Sequence, residues 1–155
     1  MTTAITPNAP HHSGLGPLAS RICDTETMVW EPVRYPGVFV KTLMVDKPRG
    51  LVTVLMKMEP GARLPDHEHA LVEQTLMLEG RLQDTHGPEA GLSVGKGEYV
   101  FRPAGSRHAV MAPEGALMLA IFQAPNKFFE DGGRAVDMMG EDWGAKWGHV
   151  LEHAA

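Results

Sequence analysis

The feature that most limits the fold of this chain is a series of short β-forming segments between Gly37 and Gln123. Each segment is rich in Val, Leu, Met, Phe or Tyr, and turns that contain proline or glycine separate it from the next. Segments of this length with turns of this kind are typical of an antiparallel sandwich or barrel. The predicted strands are 38–45, 51–58, 72–79, 98–102, 108–112 and 116–123.

The two ends of the chain differ from this central region. Residues 1–20 are rich in Pro, Ser, Thr and Gly and show no hydrophobic periodicity, which indicates a mobile arm. Residues 142–151 place Trp143 and Trp147 on one helical face, although two glycines weaken that helix by about 1 kcal/mol each. We therefore predict a short C-terminal helix that packs on the barrel or on a neighbouring subunit. The predicted parts are a flexible arm at 1–29, a β-barrel at 30–125 and a C-terminal extension at 126–155.

Four potential metal ligands lie in two stretches of the central region. Side chains alternate faces along a strand, so His67, His69 and Glu73 project from one side if their segment stays extended. His108 belongs to a separate strand and can close the site from the opposite wall. Three imidazoles and a carboxylate suit a divalent ion such as Fe, Zn, Mn, Ni or Cu. The sequence therefore predicts a metal centre at these four residues.

Several alternatives remain open for the residues at and around this centre. The three histidines could instead form a buried, hydrogen-bonded group without metal, and Glu73 could hold a histidine or a water rather than bind the ion. Glu98 follows a glycine turn and could act as a base near the ion or be an exposed turn residue. Tyr99 could hydrogen-bond to a bound ligand or complete the core. We retain Glu98 and Tyr99 as candidate catalytic residues.

The spacing of the two stretches resembles the two motifs of the cupin superfamily. The family's second motif ends in Asn where this chain has Ala112, a position that does not bind the metal in the family. The resemblance implies a cupin double-stranded β-helix, or jelly-roll barrel, with one divalent ion per subunit. The matching positions are Gly61, His67, His69, Glu73 and Gly80 in the first motif, and Gly97, Pro103, Gly105 and His108 in the second.

A narrower resemblance, to the ChrR-type cupins, covers roughly residues 30–147. It is carried by three runs, 36–41, 78–84 and 102–108. The sequence also resembles small bacterial non-haem iron dioxygenases that cleave acetylacetone or 2,4'-dihydroxyacetophenone. This resemblance implies Fe(II), with Zn, Mn or Ni as alternatives, and implies dioxygen and a small-molecule substrate as partners. It also makes a homodimer or homotetramer the expected assembly.

The chemistry of the site supports the same activity. Three neutral histidines leave the charge of the ion uncompensated, and one carboxylate reduces it only by one, so the ion favours a chelating anion such as the enolate of a diketone or hydroxyketone. The predicted function is C–C cleavage of such a compound by Fe(II). A non-catalytic, ChrR-like metal-binding or regulatory domain and a Zn- or Mn-dependent isomerase are the alternatives.

Composition limits the partners and the compartment. A chain of 155 residues is expected to form one domain, and a formal charge of −5 without a Lys/Arg cluster argues against nucleic acid. The single cysteine, Cys23, excludes an intramolecular disulfide, as expected in the cytoplasm. We find neither a signal peptide nor a run of eighteen apolar residues, so no membrane association is expected.

Overall fold

The computed structural model describes residues 2–154, which form an almost entirely β structure with two short helices near the C-terminus. Single 3-10 turns lie at Pro10–His12 and Lys47–Arg49. Neither helix of the described chain has the length and apolar character needed to cross a membrane. The strands are β1 (Glu31–Pro32), β2 (Val38–Asp46), β3 (Leu51–Met58), β4 (Arg63–Glu68), β5 (Glu73–His86), β6 (Ser93–Gly95), β7 (Tyr99–Arg102), β8 (Arg107–Met111), β9 (Ala116–Phe122), β10 (Lys127–Phe129) and β11 (Ala135–Val136), and the helices are α1 (Trp143–Trp147) and α2 (His149–Glu152).

Strand β5 joins the two sheets of the barrel. Its first half pairs with β7 and β9, and its second half pairs with β6 and β8, all antiparallel. The change of sheet occurs near Gly80, which has a φ of +71° and would place a Cβ atom 2.1 Å from the carbonyl oxygen of Gly115. Only glycine fits at such a point. The hydrogen-bonded order β1-β2-β3-β9-β5-β8-β4-β10-β11 then wraps around one interior, which confirms the predicted jelly-roll barrel.

The barrel interior is filled by side chains from alternate positions of the strands. Strand β9 shows this most clearly, since its buried and half-buried residues alternate along its whole length. Met56 and Met118, which face each other across β3 and β9, are each only 3% exposed. Val54 and Ala120 form the next buried pair of the same two strands. This period of two leaves one face of each strand for the core.

The predicted strands agree with the structure except where pairing partners decide the ends. Strand β3 has the predicted bounds, and β2, β7, β8 and β9 differ by one residue at one or both ends. Strand β5 extends from Glu73 to His86, seven residues beyond the predicted end, because β6 and β8 provide partners beyond the bend. Five strands were not predicted, namely β1, β4, β6, β10 and β11.

Both terminal segments contact the barrel. In the N-terminal arm, Ile5 forms a bridge with Val45, and the Thr3 hydroxyl donates to Asp46 at 2.6 Å. The predicted C-terminal helix consists of two parts, α1 and α2, and both of its tryptophans are buried. Trp143 Nε1 donates to the Pro125 carbonyl at 2.7 Å, which holds α1 on the barrel. Strand β10 of the same extension pairs directly with β4, so it is part of the barrel wall.

Candidate metal centre

Strand pairing brings three histidines from the two sequence motifs together. His67 on β4 lies directly opposite His108 on β8. His69 follows the end of β4, and its backbone bonds to Gly105 and Ser106, at 2.7 Å and 2.8 Å, in the turn before β8. One nitrogen from each ring lies within 4.8 Å of the other two, and the three histidines are 1–7% exposed. The two motifs therefore meet through main-chain bonds as well as through their side chains.

Each imidazole has its Nδ1 beside an oxygen atom. His67 Nδ1 lies 2.9 Å from the Pro65 carbonyl oxygen, and His108 Nδ1 lies 2.9 Å from Asp84 Oδ2. Both oxygens can only accept, so these two Nδ1 atoms carry the ring protons, which leaves each Nε2 with a free lone pair. His69 Nδ1 is 2.9 Å from Glu73 Oε2, although its N–H points too far off the line for a well-formed hydrogen bond. The Nε2 atoms are therefore the ones available to an ion.

The separation of two of these nitrogens matches ligands of one ion. His69 Nε2 and His108 Nε2 are 2.9 Å apart. Two unprotonated nitrogens at this distance repel each other unless a proton or a cation lies between them. Nitrogens that bind one ion at about 2.0–2.1 Å and at a right angle are about 2.9 Å apart. The three-histidine cluster thus fits a divalent metal ion.

Burial keeps His67 in the form that binds metal. Desolvation, together with the neighbouring His108 and His69, lowers the pKa of His67 to about 3. The ring is therefore neutral at pH 7, and its lone pair is free for coordination.

Glu73 lies behind His69 and outside the cluster of ligand atoms. The chain bends between β4 and β5, so the extended segment that would place Glu73 beside the histidines is interrupted. Its Oε2 accepts from Asn126 Nδ2 at 2.9 Å, and its Oε1 accepts from the Thr75 hydroxyl at 3.0 Å. Of the two roles left open by the sequence, this geometry favours holding His69.

The charge of Glu73 nevertheless favours a cation at the site. Burial alone would raise the pKa of its carboxyl group, but the contacts with His69 and Asn126 outweigh burial and lower the pKa to about 2. Within residues 2–154 its ion-pair partner is His69, and no Lys or Arg contacts it. A buried carboxylate needs a positive charge nearby. A metal ion bound to His69 provides one.

His108 is held by a buried ion pair that the sequence analysis missed. Arg102 donates to both oxygens of Asp84, at 2.8 Å and 2.9 Å, and Asp84 is 1% exposed. The contacts with His108 and Arg102 lower the pKa of Asp84 against the opposing effect of burial. One available signal was parity, because Asp84 lies two residues after Leu82, which is also buried, on an inward-facing row of β5. Arg102 likewise alternates with exposed neighbours on β7.

The structure does not place the candidate catalytic residues Glu98 and Tyr99 at the histidines. The Glu98 carboxylate accepts from the backbone N–H of Gly95 at 2.8 Å, so it stabilises a turn. Tyr99 is 55% exposed, and its hydroxyl donates to Gln74 at 2.9 Å on the outer face of the sheet. For Tyr99 the physical reason is strand parity, because the inward positions of β7 belong to Val100 and Arg102, whereas Glu98 lies in the turn before the strand.

Comparisons with known proteins agree with this architecture. Acetylacetone dioxygenase from Acinetobacter johnsonii superimposes with a TM-score of 0.66 at 20% identity, covering 86% of this chain and 91% of that one. The polyketide cyclase RemF from Streptomyces resistomycificus gives a TM-score of 0.59 at 21% identity, covering 67% and 79%. The anti-sigma factor ChrR from Rhodobacter sphaeroides, in complex with SigE, gives 0.51 at 22% identity, covering 64% and 50%.

These structural likenesses support the fold, and no curated protein matches the sequence. The sequence profile of the ChrR Cupin-like domain matches residues 19–127, which is most of the barrel. The match includes all three histidines and both supporting carboxylates. The chain therefore belongs to the ChrR cupin-like family of the cupin superfamily.

Proposed function

We propose that this protein is a non-haem Fe(II) dioxygenase that cleaves a C–C bond in a diketone or hydroxyketone. One observation carries the proposal: the ligand cluster contains three imidazoles and no carboxylate within the described residues. An ion held in this way keeps its full positive charge. It therefore favours a chelating, anionic substrate over water.

An Fe(II) ion held by His67, His69 and His108 would act as a Lewis acid toward the substrate oxygens and supply the redox chemistry of dioxygen activation. The protein's own part is positioning and exclusion of water. Asp84 and the Pro65 carbonyl keep the protons of two rings on Nδ1, so both Nε2 atoms stay available. Burial of all three rings keeps bulk water away from the reacting atoms.

Two further findings support this proposal. His69 Nε2 and His108 Nε2 are 2.9 Å apart, close enough for both nitrogens to hold one divalent ion. The likeness to acetylacetone dioxygenase, although only a likeness of fold, points to the same substrate class.

A non-catalytic metal-binding or regulatory role is the second candidate, and the family match favours it, since the family takes its name from ChrR. A Zn- or Mn-dependent isomerase is a third reading of the same cluster. The three candidates differ in the metal they bind and in whether they consume oxygen, so measuring both properties separates them.

The experiment uses the full chain purified without a metal-affinity tag. Elemental analysis identifies the bound metal, and an oxygen electrode then follows the Fe(II)-loaded protein with acetylacetone, benzoylacetone and α-hydroxyacetophenone. We expect oxygen uptake with at least one compound. No uptake with any of them would reject the dioxygenase, and co-purification of a sigma factor would favour the regulatory role.

Variants test the ligands separately from the reaction. His67→Ala and His108→Ala are each expected to lose the metal while keeping the β-sheet circular dichroism spectrum. His86→Ala removes an exposed histidine at the end of β5 and should keep the metal. Full metal content in both ligand variants would contradict the assignment.

A further inference from the structure

A partly enclosed cavity of about 400 Å³ follows the inner side of the β2–β3 pair. Successive inward rows of a sheet lie about 7 Å apart, so the three rows that line this cavity extend over about 14 Å. The N-terminal arm, β9 and the C-terminal extension form the other walls, and none of the three histidines lines the cavity. The three rows are cross-strand pairs with one polar member among six, namely Val40 with Met56, Thr42 with Val54, and Val45 with Val52. This volume and this lining are typical of a site for a small organic ligand.

The two ends of the cavity differ in their access to water. Val40 is 7% exposed and Met56 is 3% exposed, so this pair lies at the buried end. Lys47 lines the opposite end, directly after β2, and is exposed to solvent. A molecule that fills the cavity would therefore have one end among apolar side chains and the other end in contact with water.

Two of the three charged side chains in the cavity wall pair with each other. Lys146 Nζ lies 3.0 Å from Asp137 Oδ2, so these two charges compensate one another. Lys146 also contacts Glu141, which lies outside the cavity wall. Neither Asp137 nor Lys146 is thus available to pair with the charge of a ligand.

The third charged side chain, Lys47, has no ion-pair partner among residues 2–154. The adjacent carboxylate, Asp46, pairs instead with Arg49 at 3.0 Å. The open end of an apolar cavity therefore carries one positive charge that no neighbouring carboxylate compensates. An anionic group is what this end attracts.

We propose that this cavity binds an elongated apolar monocarboxylate, with the carboxylate at Lys47 and the chain between β2 and the C-terminal extension. The chain supplies most of the affinity, because each CH2 group that becomes buried strengthens binding about fourfold. The ion pair at the exposed end adds at most about fivefold. This site is separate from the three histidines, so the inference goes beyond the proposed function and does not depend on it.

Isothermal titration calorimetry on the full chain, purified with its metal, tests this site. The ligands are butanoate, hexanoate, octanoate and 1-octanol, which has the chain of octanoate without its charge. We expect affinity to rise about fourfold for each added CH2 group from butanoate to octanoate. We expect octanoate to bind about fivefold more tightly than 1-octanol.

Three variants separate the charge from the shape of the cavity. Lys47→Gln should lower the affinity for octanoate to that for 1-octanol. Lys96→Gln is the matched control, because Lys96 is an exposed lysine that does not line the cavity, and it should leave the fivefold ratio unchanged. Val52→Phe narrows the cavity from β3 and should weaken both compounds while the ratio remains.

The variant His108→Ala separates this site from the metal centre. Octanoate should bind this variant as tightly as the unmodified protein, and a loss of binding would place the carboxylate on the ion and overturn the inference. Equal affinity of octanoate and 1-octanol for the unmodified protein, or survival of the preference in Lys47→Gln, would overturn it as well. Absence of oxygen uptake by the Fe(II)-loaded protein would reject the proposed function alone.

Discussion

The buried pair between Asp84 and Arg102 allows a quantitative test of how the metal centre is supported. Replacement Asp84→Asn keeps the side-chain shape but removes the negative charge that Arg102 and His108 share. The asparagine has one oxygen and one NH2 group to face two donors. If the NH2 group faces Arg102, the guanidinium loses its buried counter-ion and keeps only the exposed Glu89 carboxylate at 3.3 Å. If it faces His108, the ring must move its proton to Nε2, and that nitrogen can no longer bind metal.

The expected cost follows from the burial of the two partners. Asp84 is 1% exposed and Arg102 is 4% exposed, so their interaction is little screened by water. Removing one partner of such a pair lowers the free energy of unfolding by about 3–5 kcal/mol. This is a large part of the total free energy of unfolding of a domain, which is about 5–15 kcal/mol. Metal affinity should also fall about 10–100-fold, as for other residues that orient a ligand.

Urea unfolding of the metal-free protein, followed by tryptophan fluorescence, measures the loss of stability. Elemental analysis measures the loss of bound metal. Asp66→Asn is the matched control, because Asp66 pairs with Arg107 at the surface and exposed pairs contribute little. The double variant Asp84→Asn/Arg102→Gln should recover part of the lost stability, because it also removes the positive charge of Arg102. A loss below about 1 kcal/mol in Asp84→Asn, with metal retained, would refute this reasoning.

Two further predictions concern the frame of the barrel. In urea unfolding, Gly80→Ala should destabilise the fold more than Gly61→Ala. Both glycines have positive φ, but of the two only Gly80 would bring the new Cβ atom against backbone atoms. Equal losses of stability in the two variants would contradict the role given to the bend at Gly80. Burial raises the pKa of Tyr35 to about 12 against the effect of Arg34, so a Tyr99→Phe protein, with Tyr35 as its one tyrosine, should show phenolate absorbance only near that pH. Because the folded-state pKa of Tyr35 is raised above its ordinary value of about 10, the stability linked to Tyr35 is complete below pH 10 and lost as the pH rises to about 12. Tyr35→Phe should lack this loss, and an unchanged pH profile in that variant would contradict the assignment.

Several strands and the candidate ligand histidines could be predicted because each depends on local sequence. Turns at proline and glycine delimit β2, β3 and β9, and the alternation within them is visible in the residues themselves. His67 and His69 share a face because they are two residues apart, and this holds over a short extended segment. Strand β10 carries no such signal, since its place against β4 depends on a pairing between distant segments.

The sequence alone determined which residues are available to bind a metal and that His67 and His69 share one face of an extended segment, because ligand chemistry and strand period are local properties. Tertiary structure decided their roles. It placed Glu73 behind His69, gave His108 its partner Asp84, and turned Glu98 and Tyr99 away from the centre. These outcomes depend on the bend after β4 and on the pairing of β5, β7 and β8. Such pairings join residues far apart in the chain, and no local pattern encodes them.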